Sequence, residues 1–279
     1  MAQFITQLKM YLDSQNQGLP MEVKKNLLKE KLQSYVLYYI YNHPDYRSLN
    51  FYGGACARIV YELNRLSEDL DFDNTSKVDL SLLKNDLHSY FSGKLMQKDI
   101  DIHEQTGEWG VARWTIKIPV LYDLSLSEFE DEKLHLKIEV SSHKQISNTL
   151  MTPILDNHGL SYVARHFDLP SLMAGKIIAC IERVYRKGKS NILVKGRDYY
   201  DLIWYMQKGV KPSVEKLATD GKEKYTPESV VKLLTDKMTK ISKRQLEIDL
   251  RPLFLEQHFL DSWLDNYQEF FNRYLEQYI

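Results

Sequence analysis

The feature that most constrains the fold is a short unit that joins a glycine pair to two aspartates. It begins with Phe51-Tyr52-Gly53-Gly54 and continues, after an apolar helical stretch, with Ser67-Glu68-Asp69-Leu70-Asp71-Phe72. A glycine pair lets the backbone approach a phosphate and aims the N-terminus of the following helix at it. The alternation over residues 69–72 predicts a strand that points both aspartates to one face and both apolar side chains to the core.

The two aspartates predict a metal site. Carboxylates at successive same-face positions of a strand can share divalent cations, which are hard ions that choose oxygen ligands. Gly53, Gly54 and Ser67 are placed to hold phosphates, so the unit suits a nucleoside triphosphate and its Mg²⁺, with Mn²⁺ as the alternative ion. We therefore predict that Asp69 and Asp71 bind metal and are catalytic.

The composition is that of an ordinary globular protein and excludes several classes. The 279 residues are 43% hydrophobic and 27% charged, and the net charge of −1 gives no global field that would attract nucleic acid. Any binding of RNA must therefore come from local patches. Cys56 and Cys180 suggest neither a disulfide framework nor a zinc site. We expect a cytoplasmic protein without a membrane segment, because a signal-peptide pattern and a long apolar run are both missing.

The order of predicted elements indicates an α+β fold. Two helices precede residue 45, and strands are expected at Leu49–Tyr52, around Asp69, twice between residues 99 and 122, and at Leu134–Val140. From about Leu169 the sequence looks helical to its end. We predict three parts, namely N-terminal helices over 1–45, a mixed β-sheet core flanked by helices over 46–165, and a helical C-terminal lobe over 166–279.

A third carboxylate, Glu139, is a candidate metal ligand. Enzymes that transfer phosphoryl or nucleotidyl groups often clamp two metal ions, so a further acid is expected near the aspartates. An acid in an apolar strand is costly to bury unless a metal ion or a base accompanies it. The alternative is a solvated strand face, since Lys137 and Glu139 share parity. The similar run Asp99-Ile100-Asp101 follows no glycine turn, and we interpret it as a solvated strand.

Charged residues in the second half predict a phosphate site. Lys176 and Arg183 are seven positions apart on one predicted helix, so they share a face and could neutralise a triphosphate, although a solvated basic face is the alternative. The basic segment 183–197 is either a solvated loop or a docking site for an RNA backbone. Asp198 lies at a predicted helix start, as a cap that complements the helix dipole or as an acid, base or orienting group.

These motifs resemble the AbiEii/AbiGii nucleotidyltransferase-like toxins of the DNA polymerase β-like superfamily. All four family signatures occur in the family's order over roughly residues 45–210. They are similar to Gly53-Gly54 with Arg58 and Leu66–Asp73, to Lys137–Val140, to Lys176 with Arg183, and to Arg197–Leu202. Ala55-Cys56 stands where the family usually has a Thr-Ala pair, and Glu139 replaces the aspartate that is typical of this fold class.

The resemblance implies a nucleotidyltransferase core with a helical C-terminal part. Members commonly act as bacterial toxins beside a separate antitoxin, and some add nucleotides to the 3′ end of tRNA. The resemblance assigns nucleotide and metal handling to Ser67 and Asp69, phosphate contact to Lys176, and a catalytic position to Asp198. We therefore expect a magnesium-dependent enzyme that transfers NMP from an NTP to an acceptor such as the tRNA 3′ end. The alternatives are transfer to a protein or small-molecule hydroxyl, and a catalytically inactive binding module.

Overall fold

The computed structural model describes residues 2–15, 18–107, 110–142, 145–183, 185–187, 190–192 and 195–275, with the backbone alone for 2, 185–187 and 190–192. The helices in these ranges are α1 (Ala2–Asp13), α2 (Met21–Asn42), α3 (Gly53–Tyr61), α4 (Leu83–Ser89), α5 (Leu169–Glu182), α6 (Gly196–Gln207), α7 (Val214–Thr219), α8 (Pro227–Met238), α9 (Lys243–Leu250) and α10 (Gln257–Leu275). The strands there are β1 (Asn50–Tyr52), β2 (Asp69–Asp73), β3 (Asp101–Thr106), β4 (Ala112–Ile118), β5 (Leu134–Ser141), β6 (Leu150–Met151), β7 (Ile154–Asn157), β8 (Leu160–Val163), β9 (His166–Phe167), β10 (Tyr185–Lys187) and β11 (Ser190–Ile192).

Internal contacts divide the chain into two compact units. The sheet unit comprises Met1–Val60, Leu66–His143 and Met151–His166, and the helical unit comprises Tyr61–Arg65, Lys144–Leu150 and Phe167–Ile279. The predicted α+β class is confirmed, because the chain combines a mixed sheet with a largely helical C-terminal half. The three-part division at residues 45 and 165 stays a prediction.

The main sheet places β2 near its centre. The strand order is β3-β4-β5-β2-β1-β9-β6, and β2 runs antiparallel to β1 and parallel to β5. The sequence of β2 explains this position, because Leu70 and Phe72 are fully buried on one face while Asp69 and Asp71 are only partly buried on the other. Helix α2 packs against β5 and β8. The aspartates therefore stand on a strand whose opposite face belongs to the core.

In the helical unit, α5 packs against α6, α7 and α8. Its start is fixed by Asp168, whose side chain accepts a hydrogen bond from the backbone N–H of Ser171, and by a proline in the first turn. Helix α10 packs against α6 and α9 and buries an apolar stripe at helical spacing, namely Leu260, Trp263, Leu264, Tyr267 and Phe271. None of the described helices combines the length and the apolar character needed to cross a membrane.

The C-terminal half departs from the predicted helical pattern in the basic segment 183–197. Where the sequence predicted a loop, β10 and β11 form an antiparallel hairpin in which Tyr185 pairs with Ile192. Aromatic and β-branched residues at paired positions favour strands, which a count of basic residues does not reveal. The side chains of Arg186, Lys187 and Lys189 lie outside the described residues, so an RNA-docking role for this segment stays a prediction.

Candidate active site

The glycine turn after β1 lies against the carboxylate of Asp71. Gly53 begins α3 with a φ of +79°, a left-handed conformation that favours glycine. Its neighbour Tyr52 is the register partner of Asp71 across β1 and β2. A Cβ at position 53 would lie 2.3 Å from Oδ2 of Asp71. The carboxylate therefore occupies the space that any larger residue at position 53 would need, beside the N-terminus of a helix.

Replacing Gly53 with alanine is expected to lower the free energy of unfolding by about 1–2 kcal/mol through backbone strain, and further by displacing the Asp71 carboxylate. Gly159→Ala is the matched control, because Gly159 has a φ of +76° and no atom within 4 Å of an added Cβ. Urea unfolding and transfer assays on both variants separate strain from displacement. Equal losses of activity in the two variants would contradict a role for Gly53 in placing Asp71.

The predicted alternation of β2 is confirmed, and its register adds neighbours on the same face. Asp69 pairs with Lys137, and Asp71 pairs with Glu139, across the parallel contact between β2 and β5. Neighbouring strands are about 4.8 Å apart, so Asp71 and Glu139 start from adjacent positions. Two same-face carboxylates, one of them held against a glycine turn, are a donor set that fits a hard divalent cation.

Glu139 on β5 forms an ion pair with Arg113 on the neighbouring strand β4. Nε of Arg113 on β4 donates to Oε1 of Glu139 at 2.7 Å, and the two residues are register partners. Among the described residues, no group of three or more His, Cys, Asp or Glu side chains could hold a metal ion. Asp69 and Asp71 as ligands of a divalent ion, and Glu139 as a third ligand, therefore stay predictions.

Side chains of α2 hold the segment before β2 by a hydrogen bond and an ion pair. Nε2 of the buried Gln33 donates to the backbone carbonyl of Ser67 at 3.0 Å. On the same helix, Nζ of Lys29 lies 3.4 Å from a carboxylate oxygen of Glu68. Because Ser67 is only two residues before Asp69, these contacts fix where the predicted phosphate-binding hydroxyl can lie. Gln33 was missed by the sequence analysis, and its only signal is a polar residue within an apolar stretch.

In the helical unit, the side chains of Lys176 and Arg183 both contact the carboxylate of Asp198, as the next distances show. Nζ of Lys176 lies 2.8 Å from Oδ1 of Asp198, and Nη1 of Arg183 lies 2.9 Å from Oδ2 of the same carboxylate. Arg183 follows the last residue of α5, and Asp198 is buried in the first turn of α6. The carboxylate of Asp198 is therefore a counter-ion of two bases rather than a simple helix cap.

Two residues that the sequence analysis did not assign to the site complete this cluster. Asp201 on α6 lies 2.8 Å from Nζ of Lys176, and it accepts hydrogen bonds of 2.6 and 2.7 Å from Nε and Nη2 of Arg65. The side chains of Arg65 and Asp201 are 2% and 1% exposed. Arg65 precedes the Ser67 motif and Asp201 follows Asp198 by one turn, but the two partners are 136 residues apart in sequence.

The carboxylates of Asp198 and Asp201 are surrounded by cations. Three cations, on Arg65, Lys176 and Arg183, lie within ion-pair distance of one or both carboxylates. Burial by itself raises the pKa of Asp198, but the charges of Lys176 and Arg183 outweigh burial and hold that pKa below its usual value. Asp198 is therefore ionised and a weak base. The side chain of Arg183, 53% exposed, is the part of the cluster that an anion in solvent can reach.

The sequence of the chain matches a known family. The sequence profile described as nucleotidyl transferase AbiEii toxin, type IV TA system, matches residues 35–278. The chain belongs to this family. It is a toxin-family nucleotidyltransferase, and the family implies a nucleoside triphosphate substrate and an antitoxin partner. Nucleotidyltransferases of this family generally use divalent metal ions. The resemblance noted in the sequence is confirmed, and the roles of individual residues stay predictions.

Solved structures that resemble this chain include a nucleotidyltransferase toxin. MenT4, a nucleotidyltransferase toxin from Mycobacterium tuberculosis, is 13% identical with a TM-score of 0.56, over 98% of this chain and 89% of that chain. JHP933 from Helicobacter pylori is 20% identical with a TM-score of 0.44, over 80% of this chain and 78% of that chain. The likeness to MenT4 bears on the fold alone. Among functionally curated proteins, none matches the sequence.

Proposed function

We propose that this chain is a cytoplasmic, magnesium-dependent toxin that transfers NMP from an NTP to the 3′ end of an RNA such as tRNA. The observation that carries the proposal is the placement of Asp69 and Asp71 on one face of β2, with Asp71 against the Gly53 turn. Carboxylate oxygens in this arrangement suit Mg²⁺, and Mn²⁺ would use the same ligands. The glycine pair at the start of α3 suits the phosphates.

In the proposed reaction, the acceptor hydroxyl oxygen attacks the α-phosphorus, the bond from that phosphorus to the bridging oxygen breaks, and pyrophosphate leaves. Mg²⁺ held by Asp69 and Asp71 would neutralise charge that develops on the phosphates. Gly53, Gly54 and Ser67 position the triphosphate. The hydroxyl proton passes to a carboxylate, for which Glu139 is the candidate because its register neighbour is Asp71.

The charged cluster of the helical unit has a separate role in this proposal. Lys176 and Arg183 stabilise the departing pyrophosphate, a role that suits two cations held together by the one carboxylate of Asp198. Asp198 orients these two bases as an ionised counter-ion. Its depressed pKa supports orientation over proton transfer, because an effective base has a pKa near the working pH.

Replacing Arg113 with glutamine is expected to lower the Mg²⁺ concentration that gives half-maximal transfer. The substitution removes the cation that holds Glu139, so a third carboxylate becomes available next to Asp71. The loss of stability should stay within about 1 kcal/mol, because the pair is partly exposed. A magnesium titration of transfer measures the effect, with Glu139→Gln as the opposing variant. An unchanged magnesium dependence in both variants would remove Glu139 from the ion site.

Labelling identifies the acceptor. The purified protein is incubated with each of the four NTPs, labelled at the α-phosphate, together with Mg²⁺ and total cellular RNA. We expect label in a small RNA fraction and none after chelation of the metal. Label on the protein or on a small molecule would instead support transfer to those hydroxyls. If the protein neither transfers label nor binds nucleotide at millimolar Mg²⁺, it is an inactive binding module.

A further inference from the structure

The face of the sheet that carries the aspartates continues as a polar surface across β5 and β4. Lys137 is the register partner of Asp69, and Thr115 is the register partner of Lys137. Two residues further along the strands, His135 pairs with Lys117. Side chains two positions apart on a strand share a face. The five residues on this face are therefore Asp69, Thr115, Lys117, His135 and Lys137. Each of them is at least partly exposed.

Beyond Asp69 this surface carries mostly cations, although Asp101 on β3 is the register partner of Lys117. We call Lys117, Lys133 and Lys137 the lysine cluster, and it surrounds the exposed His135. Lys117 is the register partner of His135, and Lys133 and Lys137 lie two positions before and after it on the chain. Partial burial lowers the pKa of His135, and the charges of Lys117, Lys29, Lys137 and Lys133 lower it further. Lys29 is paired with Glu68. In the part of the chain that the structure describes, no carboxylate forms an ion pair with a lysine of the cluster.

The position of the lysine cluster relative to the glycine turn indicates its use. Glu139 and Asp71 lie in the row of Tyr52, Lys137 and Asp69 in the next row in the direction in which β1 enters the glycine turn, and His135 in the row after that. At about 3.3 Å per residue, His135 is roughly 13 Å along β5 from Glu139. The positive surface therefore begins beside Asp69, at the end of β2 towards which β1 enters the glycine turn, and continues along β5 and β4.

We infer that the lysine cluster binds the sugar–phosphate backbone of the RNA acceptor and leads its 3′ end to Asp69 and Asp71. The inference rests on the proposed function, since it names the surface on which the acceptor of that reaction lies. Lysines bind phosphates as point charges, and a local patch of this kind gives RNA affinity to a chain whose net charge is −1. The row of cations suits a chain of phosphates rather than a single one.

The test compares two triple variants that each remove three positive charges. Lys117→Gln, Lys133→Gln and Lys137→Gln remove the lysine cluster, while the control changes the exposed Lys9, Lys84 and Lys94 of the same unit to glutamine. Binding of fluorescein-labelled transfer RNA is measured against salt concentration. Each lost phosphate contact lowers the slope of log affinity against log salt by about 0.7–0.9, so the cluster variant should lose about 2 to 3. The control should keep the wild-type slope.

Kinetics separate this inference from the proposed function. In the cluster variant, the KM for RNA should rise several-fold while the KM for the NTP stays at the wild-type value. Thermal unfolding of both triple variants should match the wild type, because the replaced side chains are on the surface. Equal RNA affinity and salt slope in the cluster variant and the wild type would overturn the inference while leaving RNA labelling intact. If the wild type labels no RNA, the proposed function itself fails, and the inference fails with it.

Discussion

Replacing Asp201 with alanine is expected to lower the free energy of unfolding by about 3–5 kcal/mol. Asp201 receives two hydrogen bonds from Arg65 and an ion pair from Lys176, and all of its carboxylate is buried. Removing it takes this carboxylate away from the buried Arg65 guanidinium, which is far more costly than the loss of an exposed pair. Urea unfolding, followed by circular dichroism, measures the difference in stability.

Asp236→Ala is the matched control for Asp201. Asp236 pairs with Lys240 one turn away on the surface of the helical unit, with both side chains largely exposed. Its loss should change stability by less than about 1 kcal/mol. A double variant with Arg65→Met and Asp201→Leu should recover most of the loss, because apolar side chains can replace a buried ion pair. A cost below 1 kcal/mol for Asp201→Ala would show that the Arg65 pair does not hold this unit together.

Replacing Asp69 with asparagine is expected to reduce nucleotidyl transfer by about a thousandfold or more, equivalent to roughly 4 kcal/mol of transition-state stabilisation. Asparagine keeps the shape of the side chain but removes the charge that a divalent ion requires. Asp69 is only partly buried and its strand is held by Leu70 and Phe72, so unfolding should be nearly unchanged. Initial rates of RNA labelling at saturating Mg²⁺ measure the loss.

Asp99→Asn controls for the charge change. Asp99 opens the second Asp-x-Asp of the sequence, is exposed, and precedes β3 rather than lying within β2. The variant should retain the wild-type rate, because no glycine turn accompanies this motif. Comparable transfer rates for Asp69→Asn and the wild type would contradict a catalytic role for Asp69, whatever the rate of the Asp99→Asn variant.

Patterns within short stretches of sequence predicted the features that depend only on neighbouring residues, such as the face of a strand or a glycine turn. Alternation in β2 placed Asp69 and Asp71 on one face, and the glycine pair marked the turn that only glycine fits beside Asp71. The seven-residue spacing of Lys176 and Arg183 predicted that both face a triphosphate from one helix; in the structure both contact Asp198, and Arg183 lies just beyond the end of α5.

Contacts between distant segments could not be predicted in the same way. The pairing of Glu139 with Arg113 follows from the register of β4 against β5. The sequence of one strand alone does not determine this register. Arg65 and Asp201 are brought together by the packing of the helical unit. Short strands such as β6 and β9 contain two residues each, too few for a period to be detected.

In the proposed function, the site formed by Asp69 and Asp71 on β2 transfers a nucleotide, rather than a phosphate, to RNA. The most direct measurement runs the wild type and Asp71→Asn in parallel with an NTP labelled at the α-phosphate and with the same NTP labelled at the γ-phosphate. We predict that the wild type places only the α label on RNA and releases the γ label as pyrophosphate, and that Asp71→Asn does neither. Label from the γ-phosphate on RNA, or equal α labelling by Asp71→Asn, would contradict the claim.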